Sequence, residues 1–171
     1  HGGPFANIAQ GTNSILATRM GLSLSDYVVT EAGFGADLGS EKFMNIKCGY
    51  AGLKPHALVL VATIRALRHH GGAKKAAYNT ADPEKVEAGF ANLEKHIENC
   101  RKFGLTPVVA INHFETDSAE EISYVQNRCE QLGVKAVLCK GWASGGEGMK
   151  EMAEAVVNNI ESGINRFKPL Y

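Results

Sequence analysis

The sequence predicts an α/β fold in which a mostly parallel sheet is flanked by helices. Four short apolar runs are typical of strands and lie at residues 26–31, 57–62, 107–112 and 134–139. Stretches with helical periodicity separate these runs, and strands that alternate with helices build parallel sheets with right-handed crossovers. The run Ala57–Thr63 is apolar at nearly every position, which predicts a strand buried on both faces.

The composition favours a single domain over residues 1–171. The chain is 44% hydrophobic, and a chain of this length buries on the order of 70% of the surface that its unfolded state exposes. Its 18 basic and 18 acidic residues cancel, so we expect neither nucleic acid nor a membrane surface as a partner. No apolar run approaches the roughly 20 residues of a membrane-spanning helix.

The cysteines and histidines predict no metal site. The cysteines form no CxxC motif, which favours free thiols in a reducing, cytoplasmic compartment over disulfides. They are Cys48, Cys100, Cys129 and Cys139. The histidines show no metal-ligand spacing either, because the neighbouring His69 and His70 diverge by about 100° on a helix.

Caps and apolar stripes predict the helices in order. A first helix follows Asn13, the segment Ser40–Tyr50 is ambiguous, and Ile64–His70 is a short helix that ends at two glycines. The clearest helix begins at Asp82, followed by Pro83 at its first position, and ends at Gly104.

Two more helices follow the third and fourth runs. Ser118 and Glu121 form a capping box in front of the stripe Ile122, Val125 and Cys129. A last amphipathic helix runs from Met149 to Ile160 after the glycine-rich loop 140–148.

The first predicted strand opens into a glycine-rich loop. The segment Asp26–Glu41 reads DYVVTEAGFGADLGSE, so that Glu31 is followed by Gly33, Phe34 and Gly35. Such a transition is typical of the carboxyl edge of a parallel sheet, where ligands bind and glycine allows backbone N–H groups to approach an anion. An ordinary turn between a strand and a helix explains the same residues equally well.

Polar and aromatic residues follow the later strands. Asn112 ends the third strand, Phe114 follows it, and Trp142 follows the fourth strand. Two aromatic rings across a cleft can hold a flat heterocycle, although for each ring alone a contact under a loop is the better explanation. No GxxxxGK[ST] motif and no dinucleotide-binding GxGxxG unit is present. The residues thus predict an edge that binds a planar ligand with an anion.

Five long blocks carry a resemblance to a known family. They are HGGPFANIA (His1–Ala9), VVTEAGFGADLGSEKF (Val28–Phe43), LVATIRALRHHGG (Leu60–Gly72), NLEKHIENCRKFG (Asn92–Gly104) and VVAINHFETDS (Val108–Ser118). The sequence resembles formate–tetrahydrofolate ligase over essentially all 171 residues. The resemblance corresponds to the middle segment of that family's chain, and a start at His1 inside a motif agrees with a segment of a larger enzyme.

The resemblance implies a P-loop NTPase-like core that lacks the phosphate-binding loop, which lies upstream in the family. The implied activity is ATP-dependent ligation of formate to tetrahydrofolate through formyl phosphate, giving 10-formyltetrahydrofolate. Formate, tetrahydrofolate and ATP with Mg²⁺ would be substrates, with no tightly bound cofactor and no metal site. The full-length enzyme would be a cytoplasmic homo-oligomer, and this segment alone would not turn over.

The resemblance also implies site residues. Phe114 and Trp142 would stack on the folate. The residues assigned to nucleotide binding are Glu31, Gly33, Phe34, Gly35, Asn112 and Leu138, of which Leu138 would line the same pocket as Trp142. No catalytic residue is assigned. Gln10, Gly49 and Glu115 depart from the family's motifs, where His, Arg and Pro are usual.

Two other interpretations stay open at this point. The chain is alternatively a module that binds a folate or a nucleotide without catalysis. It is otherwise a structural or interaction segment whose apolar sheet edge needs a neighbour.

Overall fold

A computed structural model describes residues 12–33 and 35–171. The chain divides into two compact units, which are His1–Pro55 with Phe167–Tyr171, and His56–Arg166. We call the first the N-terminal unit and the second the sheet unit.

The regular structure described in the N-terminal unit is helical. Helix α1 spans Ile15–Leu24, π-helical segments span Gly35–Gly39 and Lys42–Cys48, and the short helix α2 spans Gly49–Ala51. Ser14 caps α1 by accepting a hydrogen bond from the N–H of Ala17. The predicted first helix is confirmed, and the ambiguous segment after Ser40 is helical.

The prediction of a strand over residues 26–31 is wrong. Residues 27–33 have no regular structure, and no described strand pairs with them. The Val29 side chain is 94% exposed, so this β-branched residue has no neighbouring face on which to pack. The Thr30 hydroxyl instead contacts the Thr12 hydroxyl at 2.8 Å.

The sheet unit contains a parallel sheet of three strands in the order β1 (Val59–Ala62), β2 (Val108–Asn112) and β3 (Ala136–Cys139). Val59 lies opposite Val108, and Val109 lies opposite Ala136. The predicted α/β class and three of the four predicted strands are therefore confirmed, although each strand is one or two residues shorter than its apolar run.

Five helices and two 3₁₀ turns are described in the sheet unit. They are α3 (Ile64–His70), α4 (Pro83–Lys102), α5 (Ala119–Gln131), α6 (Gly141–Ser144) and α7 (Lys150–Glu161), with turns at Lys75–Ala77 and Glu147–Met149. Asp82 caps α4 at the N–H of Lys85, and both bonds of the Ser118–Glu121 capping box are present. The predicted caps are confirmed.

The two faces of the sheet are covered unequally. Met152 of α7 packs with Val108, Ala110, Val137 and Cys139 on one face of β2 and β3. On β1, Leu60 and Ala62 are buried but Val61 is 65% exposed. The prediction that the run Ala57–Thr63 is buried on both faces is therefore wrong for one face.

Candidate functional site

The carboxyl ends of β2 and β3 lie side by side and begin the candidate site. The His113 N–H donates to the carbonyl oxygen of Cys139 at 3.0 Å, which continues the pairing of Asn112 with Cys139. The chain then enters two loops, one with Phe114 and one with Trp142. The loops that carry the two aromatic residues therefore begin at neighbouring strand ends on the same edge of the sheet.

Trp142 lies on the short helix α6 and is 92% exposed. The loop that carries it is closed at its base, because the Lys140 N–H donates to the carbonyl oxygen of Gly148 at 3.0 Å. Gly145 has a φ of +56°, a value that favours glycine. A large aromatic residue presented to solvent on a closed loop suits stacking with a planar ligand.

Phe114 is half-buried at the start of the loop after β2. Its N–H donates to Asp117 Oδ2 at 2.9 Å, and the Asp117 N–H donates back to the Phe114 carbonyl oxygen at 2.9 Å. The guanidinium carbon of Arg65 lies 4.1 Å from the centre of the Phe114 ring. Hydrogen bonds therefore fix the backbone of Phe114, and the Arg65 guanidinium contacts one face of its ring.

A buried ion pair supports this loop from α3. Arg68 Nε and Nη2 donate to the two carboxylate oxygens of Glu121 at 2.8 and 2.6 Å, and both side chains have no exposed surface. Arg68 also donates to the carbonyl oxygens of Thr116 at 3.0 Å and Tyr78 at 2.6 Å. One side chain of α3 thus joins the start of α5, the loop of Phe114 and the segment before α4.

The Glu121 carboxylate is ionised in this setting. Burial by itself raises the pKa of Glu121, but hydrogen bonds from Arg68, the N–H of Asp82 and the N–H and hydroxyl of Ser118 lower that pKa to about 2. The Glu121 hydrogen bond in turn raises the pKa of Arg68. The pair is therefore charged at neutral pH.

The spacing of Ser118 and Glu121 predicts Glu121 as a capping residue, but Arg68 was not predicted as a site residue. A signal was present, because Arg68 follows Ile64 by four positions and so lies on the buried stripe of α3. An arginine on an apolar stripe needs a buried acceptor. The partner lies 53 positions away, which is beyond the range of helix periodicity.

Asn112 and Leu138 lie at the same edge as the two aromatic residues. Asn112 is exposed at the end of β2, and Leu138 is half-buried opposite Ile111. The structure therefore brings four of the predicted site residues to one edge of the sheet unit: Asn112, Phe114, Leu138 and Trp142.

The remaining predicted residues belong to the N-terminal unit. Glu31 is exposed, and Gly33 and Gly35 have φ angles of +90° and +67°. Gly39 packs against the backbone of Ala32 and Gly33, where a methyl group would overlap with both residues. Phe34 lies outside the described residues.

A buried lysine, Lys47, donates hydrogen bonds to residues of the N-terminal unit that contact the segment before this loop. Lys47 Nζ donates to the carbonyl oxygen of Asn13 at 2.7 Å and to the hydroxyls of Thr18 and Thr12 at 3.0 and 3.2 Å. Burial lowers the pKa of Lys47. Since Thr12 contacts Thr30, this side chain fixes the segment that leads to Glu31.

Several other kinds of site are not found in the described part of the chain. Residues 12–33 and 35–171 contain no cluster of three or more His, Cys, Asp or Glu side chains that could hold a metal ion. All four cysteines are buried and form no disulfide, and burial raises the pKa of Cys48, Cys100 and Cys129 to about 11. Such thiols are poor nucleophiles. No helix in these residues is long and apolar enough to cross a membrane.

Comparison with known proteins assigns the chain to a family. The model of the family described as formate–tetrahydrofolate ligase matches residues 1–171. The chain belongs to the formate–tetrahydrofolate ligase family. The resemblance seen in the sequence blocks is thereby confirmed.

Several relatives share this name and match the chain over its whole length. The formate–tetrahydrofolate ligase of Sphingobium sp. is 60% identical to this chain over 171 residues. The ligases of Paracoccus denitrificans and Granulibacter bethesdensis are 57% and 56% identical over the same length. The alignments cover 100% of this chain but only 30–31% of each relative. The chain thus spans about a third of the length of these ligases.

Proposed function

We propose that this chain provides the tetrahydrofolate-binding edge of a formate–tetrahydrofolate ligase, with Phe114 and Trp142 stacking on the two faces of the pterin ring. The observation that carries the proposal is the placement of both aromatic residues on adjoining strand ends, tied by the bond from His113 to Cys139. The exposure of Trp142 supports it, because an indole at 92% exposure has a face free for a ligand.

The proposed reaction has two steps. A formate oxygen attacks the γ-phosphorus of ATP, held with Mg²⁺, and ADP leaves, giving formyl phosphate. The N10 amine of tetrahydrofolate then attacks the formyl carbon, phosphate leaves, and N10 loses its proton. Charge on the transferring phosphoryl group must be neutralised by cations and backbone N–H groups, since positioning and electrostatics dominate this chemistry.

The residues of this chain have distinct parts in the proposal. Leu138 lines the pocket beside Trp142, and Asn112 offers an amide at the same edge. The loop of Glu31, Gly33, Phe34 and Gly35 contacts the nucleotide.

We propose that the phosphate-binding loop of a P-loop NTPase-like core lies in the part of the relatives that this chain does not span. We also propose that the full-length enzyme is a cytoplasmic homo-oligomer. We further propose that the chain is one domain of that enzyme and does not turn over alone.

Calorimetric titration of the full-length protein with tetrahydrofolate tests the proposal. Aromatic stacking is worth about 1–3 kcal/mol per ring, so Phe114→Ala and Trp142→Ala should each raise the Kd for tetrahydrofolate about tenfold or more. The Kd for ATP should not change. Tyr50→Ala is the control, because Tyr50 is also an exposed aromatic residue but lies in the N-terminal unit.

Unchanged tetrahydrofolate affinity in both folded variants would refute the stacking assignment. Tight binding of tetrahydrofolate with no formation of 10-formyltetrahydrofolate from ATP and formate would instead support a non-catalytic folate-binding protein.

A further inference from the structure

Arg65 has an unusual environment at the edge of the sheet unit. It lies on the first turn of α3, is half-buried, and stacks on the Phe114 ring with 4.1 Å between its guanidinium carbon and the ring centre. Its Nε is buried without a hydrogen-bond partner, and no described residue forms an ion pair with it. The stack on Phe114 is therefore its main interaction.

The backbone beneath the ring is fixed independently of Arg65. Phe114 and Asp117 exchange two hydrogen bonds, and Asp117 Oδ1 lies 4.0 Å from Arg68 Nη2. Arg68 also holds the Thr116 carbonyl oxygen. With the backbone held, the remaining freedom of Phe114 is rotation of its side chain, and the Arg65 guanidinium covers one face of that side chain.

We propose that Arg65 is a positioning residue for substrate binding: it holds the Phe114 ring in one orientation and leaves the opposite face for the pterin ring. The inference rests on the proposed function and deepens it, since it assigns a role to a residue that does not itself contact the substrate.

The physical basis is preorganisation. A side chain that must be ordered when a ligand binds weakens the affinity, whereas one that is already ordered does not. A planar guanidinium stacks face to face on an aromatic ring and covers it, while a lysine ammonium is a compact, strongly hydrated charge that cannot do so. The two cations therefore differ in this role although their charge is the same.

Arg65→Met and Arg65→Lys in the full-length protein test the inference. Both should raise the Kd for tetrahydrofolate, by about 3- to 10-fold, because each leaves the ring to be ordered on binding. The Kd for ATP should stay at the parental value in both. A general structural role would instead weaken both ligands and lower the thermal midpoint.

Arg128→Met is the matched control. Arg128 also lies over a phenylalanine ring, with 5.4 Å between its guanidinium carbon and the centre of the Phe90 ring, and it pairs with Glu94. It lies on α5 and not at the strand ends. This variant should bind tetrahydrofolate and ATP as the parent does.

The outcomes separate the inference from the proposed function. Parental tetrahydrofolate affinity in both Arg65 variants would overturn the inference alone, and so would full affinity in Arg65→Lys, since that would assign the effect to charge. A parent protein that binds ATP but not tetrahydrofolate would overturn the proposed function, and the inference with it.

Discussion

At the scale of single residues, the position of Phe114 depends on charges that are removed from water. Glu121 has no exposed surface, yet it is ionised because Arg68, Asp82 and Ser118 donate to its two oxygens. A charged pair in the interior stabilises a protein only while both partners are present, since a single buried charge is costly. The pair therefore couples the loop of Phe114 to the ionisation of one carboxylate.

We expect this carboxylate to make stability depend on pH. Hydrogen bonds lower the pKa of Glu121 in the folded protein from its ordinary value of 4.5 to about 2, so the carboxylate binds fewer protons when the protein is folded. Its contribution is fully present above pH 4.5 and is lost as the pH falls towards 2. The difference between these two pKa values corresponds to about 3 kcal/mol.

Glu121→Gln in the full-length protein measures this contribution. The thermal midpoint should fall at pH 7, and the gap between variant and parent should narrow as the pH falls from about 4.5 towards 2. Glu98→Gln is the control, because Glu98 forms an exposed ion pair with Lys95 and such pairs contribute about 0–1 kcal/mol. A gap that is the same at pH 3 and pH 7 would contradict the assignment.

The same residues show what a sequence can predict at this scale. The capping box was readable because Ser118 and Glu121 are three positions apart, and the bonds that define it are local. The pairing of Arg68 with Glu121 was not predictable from the sequence, because 53 positions separate the two residues and only the folded chain brings them together. The stack of Arg65 on Phe114 was missed for the same reason.

At the scale of elements, α3 and α4 approach each other very closely. Gly89 on α4 faces the carbonyl oxygen of Leu67 on α3, and a methyl group at Gly89 would overlap with that oxygen. Glycine is needed here for its lack of a side chain, since Gly89 does not have a positive φ. This contact sets the position of α3, which carries Arg65 and Arg68.

We expect Gly89→Ala to destabilise the protein by about 1–3 kcal/mol, the usual cost of adding a methyl group to a packed interior. The thermal midpoint of the full-length protein should fall, and the Kd for tetrahydrofolate should rise because α3 must move. Gly146→Ala is the control, since Gly146 has a φ of −60° and no atom within 4 Å of the added methyl group. A parental midpoint in Gly89→Ala would show that the two helices separate at no cost.

The elements that the sequence predicted correctly are those whose signals are local. Asp82 with Pro83 began α4 as expected, and the apolar runs over β2 and β3 became strands. The segment at residues 26–31 also contains aromatic and β-branched residues, but it lacks a partner strand among the described residues. Strand propensity describes packing on a neighbour, so composition alone does not decide it.

At the scale of the whole molecule, the chain carries apolar side chains that its own described residues do not cover. Leu16, Met20 and Leu24 follow one another at steps of four on α1 and are 78%, 65% and 78% exposed. Val59 and Val61 are exposed on β1. Apolar surface of this extent marks an interaction site or a tendency to associate.

We therefore expect the isolated 171-residue chain to bind the dye anilinonaphthalene sulfonate and to associate as its concentration rises. Replacing Leu16, Met20 and Leu24 with glutamine should reduce both effects, because each buried apolar side chain contributes about 1.5–3 kcal/mol. Light scattering after size exclusion and dye fluorescence are the measurements, with Glu154→Gln on α7 as an exposed control.

Unchanged association in the triple variant would show that the chains contact each other through a surface other than α1. The exposed face of β1 is then the next surface to test, by Val61→Thr. A parent chain that stays monomeric and does not raise the fluorescence of the dye at any concentration would mean that Leu16, Met20 and Leu24 are covered in solution.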